Sequence, residues 1–210
     1  MRGGWELMAH GSIFIDYNQQ GGPRGAGKAE SVNYGHADGA TRPGSGNDPL
    51  PRNVFCGIAD LSASRISGDL SDGRDVSREQ LIDHQHPHNV FAELAALYTV
   101  PLTKKISWEL YGGPSAEPAL GPVTYIHRAS ATELPMAPLS HHLQDSTHTS
   151  FGVVTTGFVL NRVKLEASTF NGREPNEQRW SIQFAALDSW SGRASIALRR
   201  NWTAQYSIGG

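Results

Sequence analysis

A chain of 210 residues with a net charge of −2 and only 18 % charged residues carries no basic field that would attract nucleic acid. Its single cysteine, Cys56, excludes an intrachain disulfide and a cysteine-based zinc site. The 23 glycines and 12 prolines favour a β-rich chain with many turns, and no apolar run is long enough for a transmembrane helix. We expect a single domain over residues 1–210.

Alternation of apolar and polar residues predicts strands along most of the chain, although the Leu and Ala residues of Val90–Val100 also suit a helix. The predicted strands cover Trp5–Tyr17, Val90–Val100, Ile106–Tyr111, Ser150–Leu160, Val163–Phe170, Trp180–Ala185, Trp190–Leu198 and Trp202–Ile208. The fourth and fifth of these form a hairpin around Asn161-Arg162. Short turns alternate with long connections, which include the Gly-rich loop from Gln19 to Gly27 and the Pro-rich stretch from Pro114 to His148.

The segment from about residue 35 to residue 76 departs from this pattern. It is rich in Gly, Ser, Asp and Arg, and its only aromatic residue is Phe55. One interpretation is a disordered loop. The other is a stretch translated out of phase between two compensating frameshifts, because permitted codons read one base out of phase can encode strand-like alternation. Both interpretations predict little regular structure, and the coding DNA would decide between them.

The predicted strands have one apolar face and one face with ionisable groups in mid-strand. The six ionisable residues expected on that second face are His10, Glu93, Glu109, Lys164, Glu166 and Arg193. They could form a solute path through a barrel or a satisfied interior network. Alternation alone would also fit a soluble sandwich. Tight turns on one rim, long loops on the other and aromatic residues near the strand ends favour an outer-membrane barrel.

Seven of the nine histidines lie between residues 84 and 148, in two dense runs with His127 between them. In an extended segment His84, His86 and His88 would point to one side, and Pro87 favours that extended backbone. In the second run, residues 141, 145 and 148 would share one face of a helix. The candidate metal ligands are His84, His86, His88, His141, His142, Asp145 and His148. Such donors suit zinc or copper, and the alternative is a hydrogen-bonded loop plug.

The chain resembles an uncharacterised family of Gram-negative outer-membrane β-barrel proteins. The resemblance covers all but the 35–76 segment. It rests on several long phrases, among them Met8-Ala9-His10-Gly11, Asp83-His84-Gln85-His86-Pro87-His88, Tyr111-Gly112-Gly113-Pro114, Asp145-Ser146-Thr147-His148 and Asn171-Gly172-Arg173-Glu174-Pro175. It implies a surface barrel, in some cases associated with copper or other metal handling. Against this family the chain lacks a signal peptide and looks truncated at both ends.

The sequence therefore predicts an all-β, antiparallel up-and-down meander, a fragment of a transmembrane β-barrel with long loops on one rim. The expected location is the bacterial outer membrane, and the expected partners are the lipid bilayer and a metal ion, copper or zinc, without nucleic acid. The expected function is transport or surface metal handling. The alternative is a soluble or periplasmic metal-binding β-protein with a His/Asp site, and a metalloenzyme is the least favoured class.

Overall fold

The computed structural model describes residues 5–19, 27–41, 52–59, 90–123, 150–173 and 180–210. These residues form nine strands: β1 (Trp5–Gln19), β2 (Gly27–Thr41), β3 (Arg52–Ala59), β4 (Phe91–Pro101), β5 (Ile106–Ala116), β6 (Ser150–Leu160), β7 (Val163–Asn171), β8 (Ser189–Arg199) and β9 (Trp202–Gly209). Each strand pairs antiparallel with the next one along the chain, which gives a single sheet in the order β1 to β9. The predicted all-β antiparallel meander is confirmed. Across the described strands β1 and β9 are the two edges of the sheet, and a closed barrel is not seen.

The connections differ in length between the two ends of the sheet. At one end β2 joins β3 through residues 42–51, and the other three connections are short: β4 joins β5 through residues 102–105, β6 joins β7 through Asn161-Arg162, and β8 joins β9 through residues 200–201. Asn161 has a φ of 57°, a left-handed conformation that asparagine tolerates in tight hairpin turns. At the other end the connections are residues 20–26, 60–90, 117–149 and 172–188. The connections that carry the two histidine runs, 60–90 and 117–149, therefore both start and finish at this second end.

The expectation of little regular structure over residues 35–76 is wrong for the part of that segment that the structure describes. Residues 35–41 continue β2 in unbroken register with β1, and residues 52–59 form β3. Small residues at positions 35, 37 and 39 alternate with His36 and Asp38, and this alternation supports a strand despite the loop-like composition. Residues 42–51 and 60–76 lie outside the described residues, and the coding DNA remains the test of the frameshift.

Two other predicted boundaries change. Alternation over Trp180–Ala185 predicts a strand, but residues 181–188 have no regular structure and β8 begins only at Ser189. Strand β5 runs on to Ala116 through Pro114, which the sequence assigns to a connection. Proline is accommodated there because the pairing of β4 with β5 shifts between Leu94 and Ala96, and a bulge removes the need for a ladder hydrogen bond.

The strand register separates two faces of the sheet, as the alternation predicts. One row of paired residues crosses β5 to β9 as Trp108, Phe158, Leu165, Ala194 and Tyr206. The neighbouring row, one residue along each strand, is Glu109, Gly157, Glu166, Arg193 and Ser207. We call the side of the first row the apolar face and the side of the second row the polar face. No helix among the described residues is long and apolar enough to cross a membrane.

Burial is concentrated near one end of the polar face. A small cluster of Ala95, Ala116, Val153 and Phe170 is buried, and Tyr111 and Leu120 pack against it. The segment that follows β5, residues 117–123, lies across this side of the sheet: the Ala119 N–H donates to Ser168 Oγ (2.7 Å), and the Gly121 N–H donates to Ser207 Oγ (2.9 Å). The beginning of the long Pro-rich connection is therefore an ordered cover over β7 to β9.

Candidate functional site

Four charged side chains form a continuous ladder on the polar face across β5, β7 and β8. Lys164 Nζ lies 3.0 Å from Glu109 Oε2 and 2.9 Å from Glu166 Oε1. Arg193 Nε donates to Glu166 Oε2 at 2.9 Å, and its Nη1 donates to the Gly121 carbonyl at 3.3 Å. The Glu166 side chain, only 7 % exposed, is shared by both cations and is the centre of the ladder.

The ladder can cross β6 because a glycine stands in its path. In the register Gly157 of β6 lies between Glu109 of β5 and Glu166 of β7. A Cβ at Gly157 would come within 2.7 Å of the Leu165 carbonyl oxygen and 3.1 Å of Glu166 Cγ. The missing side chain leaves the space through which Lys164 reaches Glu109.

A second cluster on the polar face joins β1 and β2 and contains two histidines. His10 and His36 are directly paired across the two strands, and their rings meet edge to face with centroids 5.1 Å apart. Asp38 follows two residues later on β2, so it shares the face of His36, and its Oδ1 lies 3.0 Å from His36 Nε2. One ligand atom from each of His10, His36 and Asp38 lies within 4.8 Å of the other two. We call these three residues the His–Asp cluster.

A carboxylate of β4 borders the His–Asp cluster. Glu93 Oε2 lies 3.8 Å from His36 Nε2, although β3 runs between the two strands. The residue of β3 that stands between them in the register is Gly57, which has no side chain to fill the gap. The other oxygen of Glu93, Oε1, accepts a 2.6 Å hydrogen bond from the Tyr111 hydroxyl, which in turn accepts one from the Glu117 N–H at 3.3 Å. Glu93 is thus held in a fixed orientation by β5 and by the start of the cover segment.

The residues predicted from the sequence divide into two groups. The six ionisable residues expected on one face all lie on the polar face: Glu109, Lys164, Glu166 and Arg193 form the ladder, Glu93 lies beside His36, and His10 belongs to the His–Asp cluster. The seven predicted metal ligands, His84, His86, His88, His141, His142, Asp145 and His148, lie outside the described residues.

Sequence reasoning missed His36, Asp38 and Tyr111. The signal for the first two was present, since His36 and Asp38 are two residues apart and alternate with small residues. The loop-like composition of the segment around them hides this alternation. For Tyr111, nothing local in the sequence shows that it reaches a glutamate 18 residues earlier.

What the site can do chemically follows from its donors. The ladder pairs two cations with two carboxylates and suits a rigid, charged wall. The His–Asp cluster with Glu93 combines imidazole and carboxylate groups, the donor set of many divalent transition-metal sites. The chain was compared with protein-family models, with curated proteins and with solved structures. None of the three comparisons gives a match.

Proposed function

We propose that this chain forms part of the wall of an outer-membrane β-barrel, with its apolar face against the lipid chains and its polar face towards the interior. The observation that carries the proposal is the pair of neighbouring rows on β5 to β9, one apolar and one charged. Alternation of lipid-facing and interior-facing residues along every strand is the defining pattern of such barrels. We further propose that its role is transport or surface metal handling rather than an enzymatic reaction.

The exposure of the apolar face supports a lipid partner. Leu7 and Ile15 of β1 are 80 % and 85 % exposed, and Phe158 and Leu165 in the middle of the sheet are each 45 % exposed. Soluble monomers rarely leave a contiguous apolar area of this kind in water. The buried cluster of Ala95, Ala116, Val153 and Phe170 lies instead on the polar face, where Leu120 of the cover segment packs against it, and this fits an interior filled by side chains and a loop.

The spacing of two tryptophans matches the thickness of the apolar part of a bilayer. Trp190 lies near the start of β8, and Trp202 begins β9 opposite Arg199. Nine residues separate positions 190 and 199, so the two rings are about 30 Å apart along the strand. With the strand tilted by about 40°, this becomes roughly 23 Å along the membrane normal, close to the apolar band between two aromatic girdles.

Two polar groups on the apolar face, those of Trp108 and Thr156, find partners within the protein, as an apolar surrounding requires. The indole N–H of Trp108 donates to Thr156 Oγ1 on the neighbouring strand at 2.8 Å. The Thr156 hydroxyl donates to the Glu109 carbonyl oxygen at 3.3 Å. The indole N–H of Trp108 and the hydroxyl of Thr156 therefore both have a hydrogen-bond partner in the absence of water.

Depth-dependent fluorescence quenching tests the proposal. The chain has five tryptophans. Variants that retain only Trp190, only Trp202 or only Trp180, with phenylalanine at the other four positions, would be refolded with phosphatidylcholine vesicles whose acyl chains carry bromine at defined depths. Trp180 is the matched control, because it is 79 % exposed, like Trp202 at 71 %, but precedes β8.

We expect the emission of the Trp190-only and Trp202-only variants to shift to the blue and to be quenched most by bromine close to the headgroups. The Trp180-only variant should keep a red-shifted emission with little quenching. A chain that stays in solution without detergent, with all three tryptophans unquenched, would contradict the membrane proposal and favour the alternative of a soluble metal-binding β-protein.

A further inference from the structure

We propose that His10, His36 and Asp38 bind a divalent transition-metal ion, Zn²⁺ or Cu²⁺, on the polar face of the β1–β2 hairpin. This site is separate from the histidine runs at 84–88 and 141–148, and it does not depend on membrane insertion, because two paired strands supply all three ligands.

The distances fit a site that closes around an ion. The three ligand atoms lie within 4.8 Å of one another. In a tetrahedral site with metal–ligand bonds of about 2.0–2.1 Å, ligand atoms are roughly 3.3 Å apart. The remaining contraction of about 1.5 Å needs only small side-chain rotations, since the ligands sit on one face at directly paired and next-but-one positions.

The surroundings favour a cation. Asp38 Oδ1 is buried and accepts no hydrogen bond within the described part of the chain, although His36 Nε2 is only 3.0 Å away. The separation of the oxygen and the nitrogen is close to the roughly 3.3 Å expected between two ligand atoms of a tetrahedral site. Glu93 Oε2, at 3.8 Å from His36 Nε2, adds a second carboxylate next to the cluster. Two carboxylates around imidazoles in a half-buried position attract a doubly charged ion strongly.

The partners of Glu93 supply an outer shell. The Tyr111 hydroxyl holds Glu93 by a 2.6 Å hydrogen bond, and the Tyr111 oxygen is itself fixed by the Glu117 N–H. Partners of this kind orient metal ligands and commonly change metal affinity by about 10–100-fold. Tyr111 therefore fixes the carboxylate that borders the three ligands. The ion leaves part of its coordination sphere for solvent or for a passing solute ligand, because the cluster offers three protein ligands.

The test must remove the other histidines first. In a background variant of the full chain, asparagine replaces six histidines: His84, His86, His88, His141, His142 and His148. Of the nine histidines only His10, His36 and His127 then remain. Zn²⁺ binding to this variant, refolded in detergent micelles, would be measured by calorimetry, and the absorption spectrum of bound Co²⁺ would report the coordination geometry.

We expect the background variant to bind one equivalent of Zn²⁺ and to give the intense visible bands of four-coordinate Co²⁺. Adding His36→Asn should weaken Zn²⁺ binding by more than about tenfold, the lower limit for even an outer-shell partner. Adding His127→Asn, the matched control, should leave affinity unchanged. If circular dichroism shows that the His36→Asn variant does not fold, the Asp38→Asn variant, which keeps the shape of the side chain, replaces it in the Zn²⁺ titration.

The proposal is overturned if the background variant binds no Zn²⁺, or if its binding survives both His36→Asn and Asp38→Asn, or disappears with His127→Asn. These outcomes leave the membrane proposal untouched, because lipid quenching is measured separately in vesicles containing EDTA. In turn, a chain that binds Zn²⁺ but does not enter vesicles contradicts only the membrane proposal.

Discussion

At the scale of single residues, the positions of two glycines determine which side chains can meet on the polar face. Gly157 separates Glu109 from Glu166, and Gly57 separates His36 from Glu93. In both cases charged or hydrogen-bonding groups meet across an intervening strand. Side chains two strands apart are about 9–10 Å apart at the backbone, so long side chains can meet only where the middle strand leaves the space empty.

Glu166 should be the residue of the ladder on which stability depends most. It is 7 % exposed and is shared by Lys164 and Arg193. We expect Glu166→Gln to lower the free energy of unfolding by about 3 kcal/mol, because the largely buried Arg193 and the more exposed Lys164 lose the anion that they share. Glu109→Gln is the matched control: Lys164 is 39 % exposed and keeps Glu166, so the loss should be about 1 kcal/mol or less. Urea unfolding in micelles, followed by tryptophan fluorescence, measures both. Equal losses for the two variants would contradict a ladder centred on Glu166.

At the scale of elements, the close approach of β5 to its two neighbouring strands depends on the absence of side chains at Gly112, which faces β6, and at Gly113, which faces β4. A Cβ at Gly113 would overlap the Leu94 carbonyl oxygen and lie 2.7 Å from Ala95 Cα, both backbone atoms of the neighbouring strand. Backbone cannot move aside as a flexible side chain can, so a substitution here must displace β4 itself. The displaced part of β4 includes Glu93 and the buried Ala95.

We therefore expect Gly113→Ala to destabilise the fold by about 2 kcal/mol, as in other overpacked positions. Gly192→Ala in β8 is the matched control. Its added methyl group would find the Glu166 carbonyl oxygen at 3.7 Å, an ordinary contact, so the change should stay within about 0.5 kcal/mol. Thermal unfolding of both variants in the same detergent compares them. A Gly113→Ala variant as stable as the Gly192→Ala variant would show that β4 and β5 approach less closely than described.

The elements that the sequence predicts well are those with large side chains. In β1, β6, β7 and β9 the alternation of bulky apolar with polar residues indicates both the strand and its faces. From the sequence, no strand is predicted over either β2 or β3. Over residues 35–41 the apolar-side residues of β2 are Gly, Ala and Gly, which have no hydrophobic signature. The opposite error occurs at Trp180–Ala185, where the alternation predicts a strand that does not form. This segment has no neighbouring strand to pair with in the described sheet.

The candidate site was harder to predict than the fold. The charged residues of the ladder follow directly from their places in mid-strand, but their partners depend on register, which local sequence does not specify. Likewise the His–Asp cluster exists only because the register places His10 opposite His36. A shift of one residue would place His10 opposite Gly35 or Ala37 and remove the pair of imidazoles.

At the scale of the whole molecule, the difference between the two faces can be tested with a single charge placed on either side. Ala194 lies at the middle of β8 on the apolar face, between Leu165 and Tyr206, whereas Gln205 of β9 lies on the polar face opposite Ser195. If the apolar face meets lipid, Ala194→Lys puts an ammonium group near the centre of the bilayer. That should reduce the stability of the folded, inserted state by about 2–4 kcal/mol. Gln205→Lys adds the same group on the interior side, where the free energy of folding should hardly change.

The measurement is the urea concentration at which half of each variant is folded in phosphatidylcholine vesicles. In detergent-free buffer there are no acyl chains to oppose the added charge. There Ala194→Lys should increase the solubility of the unfolded or aggregated chain instead of lowering its stability. Equal midpoints for the two lysine variants in vesicles would mean that neither face contacts the acyl chains. The exposed leucine, isoleucine and aromatic residues of the apolar face would then have to be covered by protein, either another part of this chain or a second copy of it.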